Sequence, residues 1–85
     1  MTQKKWCVTG AAGFLGSHVI EQLLLNGQFV LGIDNLSWGK EEHLKDLKSS
    51  SAGDFANIDI REEEKIKNVL DKFRPDHIVH LAALH

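Results

Sequence analysis

Eighty-five residues make at most one small domain. Apolar residues are 42% of the chain and charged residues 26%, a globular balance, and the net charge of −2 gives no general attraction to nucleic acid or to an acidic membrane surface. No apolar run approaches the ~20 residues that span a bilayer, and Met1-Thr2-Gln3-Lys4-Lys5 leads straight into a strand pattern with no secretory apolar region. The single cysteine excludes an internal disulfide and suits a reducing compartment, so a cytoplasmic location is expected. There is no tyrosine anywhere in the chain.

Lys4 to Thr9 reads as a first strand, with Cys7 inside it as a buried, inert thiol. Phe14 to Asn26 reads as a helix whose apolar face is Leu15, Val19, Ile20, Leu23 and Leu24, closed by Asn26-Gly27. His18 in that helix is expected to be a solvated or partly packed side chain. Phe29 to Ile33 is a continuous apolar run of the kind buried on both faces of a parallel sheet, and it ends in Asp34. A turn-rich loop follows, then a short helix over Glu41 to Leu47 with Leu44 and Leu47 as its apolar contacts. Lys48 to Gly53 is a polar connection and Phe55 to Ile60 a weaker third strand. Glu62, Glu63 and Glu64 then sit in the first turn of a helix with an apolar stripe of Ile66, Val69, Leu70 and Phe73, ended by Pro75. His77 to Ala83 is the fourth strand, with His80 expected to be satisfied within the core.

Strands alternating with helices predict an α/β fold: a parallel sheet of about four strands with crossover helices. Right-handed crossovers put the second and third strands on one side of the first. In the dinucleotide-binding topology the fourth returns to the other side, for a predicted order 3-2-1-4. The switch point then lies between strands one and four.

The turn that opens the first helix, Thr9-Gly10-Ala11-Ala12-Gly13-Phe14-Leu15-Gly16, stands at that point. Strand, glycine-rich turn and helix form a phosphate cradle. Gly10 permits the tight turn, Gly13 lets backbone approach a pyrophosphate, and Gly16 lets the helix pack closely. The spacing G-x-x-G-x-x-G is not the commoner G-x-G-x-x-G, and on its own is also found in ordinary strand-to-helix turns. Asp34 stands eighteen residues after Gly16. A carboxylate there can accept both hydroxyls of an adenosine ribose and repels a 2′-phosphate, which favours NAD over NADP. The alternative is a turn-forming Asp that caps its own loop. Asp59 can reach an adenine amino group or serve as the N-cap of the following helix, and the sequence leaves both roles open. His43 and His77 show no metal-ligand spacing, so no metal is predicted.

Four ordered segments carry a resemblance over essentially the whole chain: Thr9 to Gly16, Asp34-Asn35-Leu36-Ser37-Trp38-Gly39, Asp59-Ile60-Arg61 and His80-Leu81-Ala82-Ala83. Together they resemble the NAD-binding region of extended short-chain dehydrogenases/reductases, and within these the NAD-dependent nucleotide-sugar epimerase/dehydratase family. The resemblance implies a partial Rossmann fold in which residues 1–85 are the N-terminal part of an NAD-binding domain. Gly10, Gly13, Phe14, Leu15 and Gly16 would hold the pyrophosphate. Asp34 would hold the adenosine ribose, with Asn35 and Ser37 beside it, and Asp59 and Ile60 would contact adenine. Leu81, Ala82 and Ala83 would line the site toward the nicotinamide. His85 stands where some 4-epimerases carry a lysine.

The family uses a Ser/Thr and a Tyr-x-x-x-Lys pair well beyond the fourth strand, together with a nucleotide-sugar site. A chain without tyrosine lacks the pair and is not expected to turn over by itself. It is expected to be a fragment that grips the adenosine and pyrophosphate of NAD, prone to self-association through the open edge of its fourth strand. The alternative is a non-catalytic dinucleotide-binding module, a sensor or regulatory subunit. An adenosyl-dependent methyltransferase is disfavoured by a turn shaped for pyrophosphate.

Overall fold

A computed structural model describes residues 2–37 and 40–82. The elements are β1 (Lys5–Thr9), α1 (Phe14–Leu25), β2 (Phe29–Asp34), a 3-10 turn (Glu41–Leu44), α2 (Lys45–Ser49), β3 (Gly53–Asn57), α3 (Glu63–Phe73) and β4 (His77–His80). The four strands form one sheet in the order β3-β2-β1-β4, every pair parallel. This is the order expected for the dinucleotide-binding topology, a partial Rossmann fold.

Each strand sends alternate side chains to opposite faces. Val8 and Val30 point to one face, where Ala11, Ala12, Ile20 of α1, Leu44 and Leu47 close a core. Cys7, Leu31 and Ile33 point to the other, where Ile66, Val69, Leu70 and Phe73 of α3 cover them. The crossovers through α1 and α2 therefore share one face and the return through α3 takes the other. This doubly wound arrangement brings β1 and β4 side by side and makes their carboxyl ends the switch point.

Leu44 and Leu47 are fully buried, so the stretch from Glu41 to Ser49, with little else apolar, still docks firmly on the sheet. Its approach depends on a bare backbone beneath it, since a Cβ on Gly32 would lie 2.5 Å from Leu47 Cδ2 and 2.8 Å from Ala11 Cβ. The predicted single helix over Glu41 to Leu47 is instead a 3-10 turn running into an α-helix that continues to Ser49.

Three boundaries differ from the sequence reading for one reason: strands end where partners end. β3 covers Gly53–Asn57, not Phe55 to Ile60, because its partners are Val30 to Asp34 and β2 stops at Asp34. β4 stops at His80 because β1 stops at Thr9, opposite it. β1 begins at Lys5 because Phe29, its first register partner, begins β2. The helical period predicts Leu15 on the apolar face of α1, but it is 60% exposed: the first turn of the helix overhangs the sheet, and burial begins at Gly16 and Ile20.

Candidate functional site

The glycine turn hangs from the end of β2. The N–H groups of Gly10 and Ala11 both donate to the Ile33 carbonyl, at 2.9 and 3.2 Å, and Gly13 N–H donates back to Gly10 O at 3.1 Å. The first bond of α1 runs from Ser17 N–H to Gly13 O at 2.9 Å, so the N–H groups of Phe14, Leu15 and Gly16 precede any intrahelical acceptor. No acidic residue stands in this first turn and no side chain caps it. The positive end of the helix dipole is thus presented with backbone donors and no resident anion.

The three glycines answer to different constraints. Gly10 has φ +73°, a conformation that side chains with a Cβ rarely adopt, and its Cβ position lies 3.0 Å from the backbone of Leu81 and Ala82. A Cβ on Gly16 would overlap the Gly10 carbonyl, so α1 reaches the turn only as bare backbone. Gly13 is the mildest of the three: its φ of −77° suits any residue, and a Cβ would meet only Gly10 O, at 3.3 Å, a tight contact relieved if that carbonyl gives by a few tenths of an ångström. The fold itself makes the weakest demand for glycine at this position.

Asp34, half-buried at the end of β2, grips two loops. Its Oδ2 accepts Ala12 N–H at 2.9 Å and its Oδ1 accepts Leu36 N–H at 2.7 Å. The loop-capping role that the sequence left as an alternative is therefore real, and a bond to the glycine turn, which sequence reasoning missed, accompanies it. Two oxygens offer about four lone-pair sites, so these two bonds leave acceptor capacity. The Ala12 carbonyl is held from the other side by Lys40 N–H at 3.1 Å and by His43 Nδ1 at 2.8 Å.

Asn35 and Asp59 join the ends of β2 and β3. Asn35 Nδ2 donates to Asp59 Oδ2 at 3.1 Å, and Asn35 Oδ1 accepts Ser37 N–H at 3.0 Å, turning Ser37 outward. Asp59 is clasped by Arg61, whose Nη2 reaches Oδ2 at 2.6 Å, while Arg61 N–H reaches Oδ1 at 2.9 Å. The Arg61 side chain and then its N–H hold the Asp59 carboxyl well below the usual carboxylate range. Of the two roles left open for Asp59, the N-cap is not realised: Glu62 is the N-cap residue of α3, and no side chain caps the helix. Asp59 N–H and C=O instead pair with Glu62 Oε1 and Glu62 N–H. Ile60 is half-buried beside this clasp.

The fourth segment is organised by Thr9, which sequence reasoning did not single out. Its Oγ1 accepts the N–H groups of Leu81 and Ala82, at 3.0 and 3.2 Å, and lies 2.7 Å from His80 Nδ1. With its lone pairs receiving two donors, the hydroxyl proton is directed to Nδ1, which places the imidazole proton on Nε2. His80 is exposed on the short edge strand and not satisfied within the core, because among the described residues β4 has no neighbour beyond β1 in the sheet. Ala83, Trp38, Gly39 and His85 lie outside the described residues. Cys7 is buried, and burial pushes its thiol up to about 11, so it is neutral and unreactive at pH 7. Among the described residues, no three His, Cys, Asp or Glu side chains converge as metal ligands, and no helix is long and apolar enough to cross a membrane.

The site therefore joins an anion-receptive helix N-terminus, a carboxylate at the end of the second strand and a polar clasp at the end of the third. The profile of the NAD dependent epimerase/dehydratase family matches residues 6–85. The chain belongs to this family. The UDP-glucose 4-epimerase of Mycolicibacterium smegmatis is 42% identical over 76 residues, covering 89% of this chain and 24% of that enzyme. The dTDP-glucose 4,6-dehydratase of Salmonella typhimurium is 37% identical over 81 residues, covering 93% of this chain and 22% of that enzyme. The crystal structure of the Bordetella bronchiseptica enzyme WbmG in complex with NAD superposes with a TM-score of 0.89 at 32% identity, covering 99% of this chain and 26% of that one. This epimerase/dehydratase chain thus spans about a quarter of the length of the relatives it matches.

Proposed function

We propose that this chain is the adenosine and pyrophosphate grip of an NAD site, the N-terminal part of a nucleotide-sugar epimerase or dehydratase. The observation that carries the reading is Gly13: glycine stands at the mouth of an uncapped helix where the fold asks for it least. A pyrophosphate drawn against the N–H groups of Phe14, Leu15 and Gly16 supplies the missing reason, because its oxygens would take the space of a Cβ.

The geometry supports the remaining roles that the resemblance implies. The Asp34 carboxylate, already fixed by Ala12 and Leu36, has lone pairs for the two ribose hydroxyls, and its charge opposes the 2′-phosphate of NADP. Asn35 and Ser37 shape the loop beside that ribose. Asp59 and Ile60 flank adenine, with Arg61 holding the carboxylate ionised. Leu81 and Ala82, drawn to Thr9, would form the wall toward the nicotinamide, the role the resemblance also gives to Ala83.

Bound NAD would supply a nicotinamide that takes a hydride from a sugar carbon and returns it. The 85 residues contain no tyrosine, so the acid/base pair and the sugar nucleotide site are assigned to residues outside this segment. The names of the curated relatives, a UDP-glucose epimerase and a dTDP-glucose dehydratase, support a sugar nucleotide as substrate of the whole enzyme.

The test is a ¹H–¹⁵N correlation spectrum of the chain with and without NAD. Selective shifts at residues 10–16 and at Asp34, saturating with NAD and weaker with NADP, are expected. A dispersed spectrum that ignores NAD would remove the binding role from this chain.

A further inference from the structure

The Ala12 peptide groups are the most constrained part of the glycine turn, and the second of their restraints comes from a residue that the family resemblance does not assign. Ala12 is fully buried. Its N–H is held by Asp34, its C=O by Lys40 N–H and by His43 Nδ1, and the next N–H, that of Gly13, by Gly10 O. A carbonyl only accepts, so the proton of this bond sits on His43 Nδ1, in the neutral ring or the imidazolium alike. His43 is itself firmly placed. Its N–H donates to Lys40 O at 2.9 Å, and its neighbour Leu44 is fully buried in the core between α1 and the sheet.

We infer that His43 is a positioning residue for the pyrophosphate turn. The Ala12–Gly13 peptide plane sets the direction from which Gly13 and the first N–H groups of α1 meet an anion. Rotation of that plane would carry Gly13 and the start of α1 out of line. Lys40 N–H restrains the carbonyl at one point; His43 adds a second, from a side chain set in a rigid turn 31 residues away. Preorganised donors are worth more to an anion than donors that must be ordered on binding. The inference rests on the reading that this turn holds NAD.

The experiment uses the 85-residue chain, its His43→Ala and His43→Asn variants, and three probes: NAD, ADP and adenosine. Asparagine places an amide N–H close to where Nδ1 stands. Loss of one hydrogen bond predicts that His43→Ala weakens NAD and ADP by about fivefold to twentyfold, while adenosine, which has no phosphate, changes less than about twofold. His43→Asn should recover most of the loss. An equal loss for ADP and adenosine would make the residue a general support of the fold, and an unaltered ADP affinity, or failure of Asn to rescue, would equally overturn the proposal.

A measurement on the unsubstituted chain guards against a variant that does not fold. Long-range ¹H–¹⁵N spectra should show Nδ1 of His43 as the protonated ring nitrogen. An unprotonated Nδ1 removes the bond on which the proposal stands. If the unsubstituted chain gives a dispersed spectrum and binds neither NAD nor ADP, the NAD reading itself has failed, and the proposal falls with it for a reason visible before any variant is made.

Discussion

Asp34 Oδ2 accepts the Ala12 N–H at 2.9 Å across 22 residues of sequence, so the carboxylate at the end of β2 is also a strut of the glycine turn. Asp34→Asn tests the double role. The amide can place its oxygen toward Leu36 N–H or toward Ala12 N–H, but its NH₂ then faces the other donor. We expect a destabilisation of about 1–3 kcal/mol, the cost of an orphaned donor in a partly buried site, and a loss of NAD affinity of at least about tenfold. Denaturant unfolding and NAD titration of the same variant measure both. A variant with unchanged stability and reduced affinity would leave Asp34 as a ligand alone. The strut also bears on cofactor preference. Replacing Asp34 to admit NADP removes a support of the pyrophosphate turn, so such variants should lose NAD without gaining NADP in proportion.

Gly13→Ala and Gly16→Ala should separate ligand binding from folding. At Gly13 an added methyl meets only Gly10 O, at 3.3 Å, a tight contact that a small shift of the carbonyl relieves, in an ordinary backbone conformation, so stability should fall by about 1 kcal/mol and far less than at Gly16. NAD affinity should nonetheless fall by at least about tenfold, because the methyl occupies the path of the pyrophosphate. At Gly16 the methyl overlaps the Gly10 carbonyl, and the variant should be strongly destabilised whether or not NAD is present. Thermal melts with and without NAD distinguish the cases. Equal destabilisation of the two variants would count against a ligand as the reason for Gly13.

What the sequence showed and what it hid divide along one physical line. Period-3.6 runs in α1 and α3, the apolar run of β2 and the punctuation at Gly10, Gly27 and Pro75 are local, and they were enough for the element order; the order β3-β2-β1-β4 needed the dinucleotide-binding topology as well. Residues whose role is fixed by their own turn, such as Gly10 and Gly16, were legible as well. Contacts between distant segments were not. His43 meets Ala12 across 31 residues, and Thr9 meets His80 across 71, and no spacing rule announces either. Leu15 misled because periodicity marks a helix face without saying how much of that helix overhangs the sheet. β3 was misplaced because Gly53 reads as a loop residue, whereas here it is bare backbone under α2, where a Cβ would overlap the Leu47 carbonyl. Asp59 looked equally good as cap and as ligand because its residue type does not say whether the carboxylate turns to the following helix or, as here, to its own next-but-one neighbour Arg61.

The Asp59–Arg61 clasp makes a pH prediction with a definite sign. The folded-state carboxyl is held below its unfolded value of about 4, so its contribution to stability is present above that value. It is lost as pH falls through the lower, folded value. Stability from this group should therefore be flat at neutral pH and begin to decline only in acid. In a ¹³C titration, Asp59 should remain ionised when exposed carboxylates have already protonated. Arg61→Gln should move its titration up toward the ordinary range, and added salt should shrink the difference because the pair is solvent-facing. An Asp59 that titrates like a free carboxylate in the unsubstituted chain would refute the clasp.

Arg74 ends α3 in a left-handed conformation, φ 53° and ψ 67°, directly before Pro75. That conformation is costly for a residue with a Cβ and nearly free for glycine. Its N–H still closes the helix on Leu70 O at 2.8 Å, a backbone bond that substitution preserves. Arg74→Gly should thus stabilise the chain by about 0.5–1 kcal/mol, less the extra entropy glycine gains when unfolded. Chemical denaturation gives the sign directly. A clear loss of stability would show that the Arg74 charge at the helix C-terminus outweighs backbone strain.

The edge of the sheet at β4 carries the last prediction. Among the described residues β4 has β1 as its only neighbour in the sheet, and Ile78, in register with buried Cys7, is 55% exposed on the face that α3 covers elsewhere. An edge strand with free backbone groups and an exposed branched side chain pairs readily with a like edge. The isolated chain should therefore associate as concentration rises, and sedimentation should show mass increasing reversibly above that of the monomer. Ile78→Lys puts a charge where such an edge would meet its copy, and should return the chain to monomer without loss of fold, since the side chain lies largely outside the core. If both forms sediment as monomers at every concentration, the edge is already protected. If both associate alike, the contact lies elsewhere, and exposed Phe14 and Leu15 at the start of α1 become the next surface to substitute.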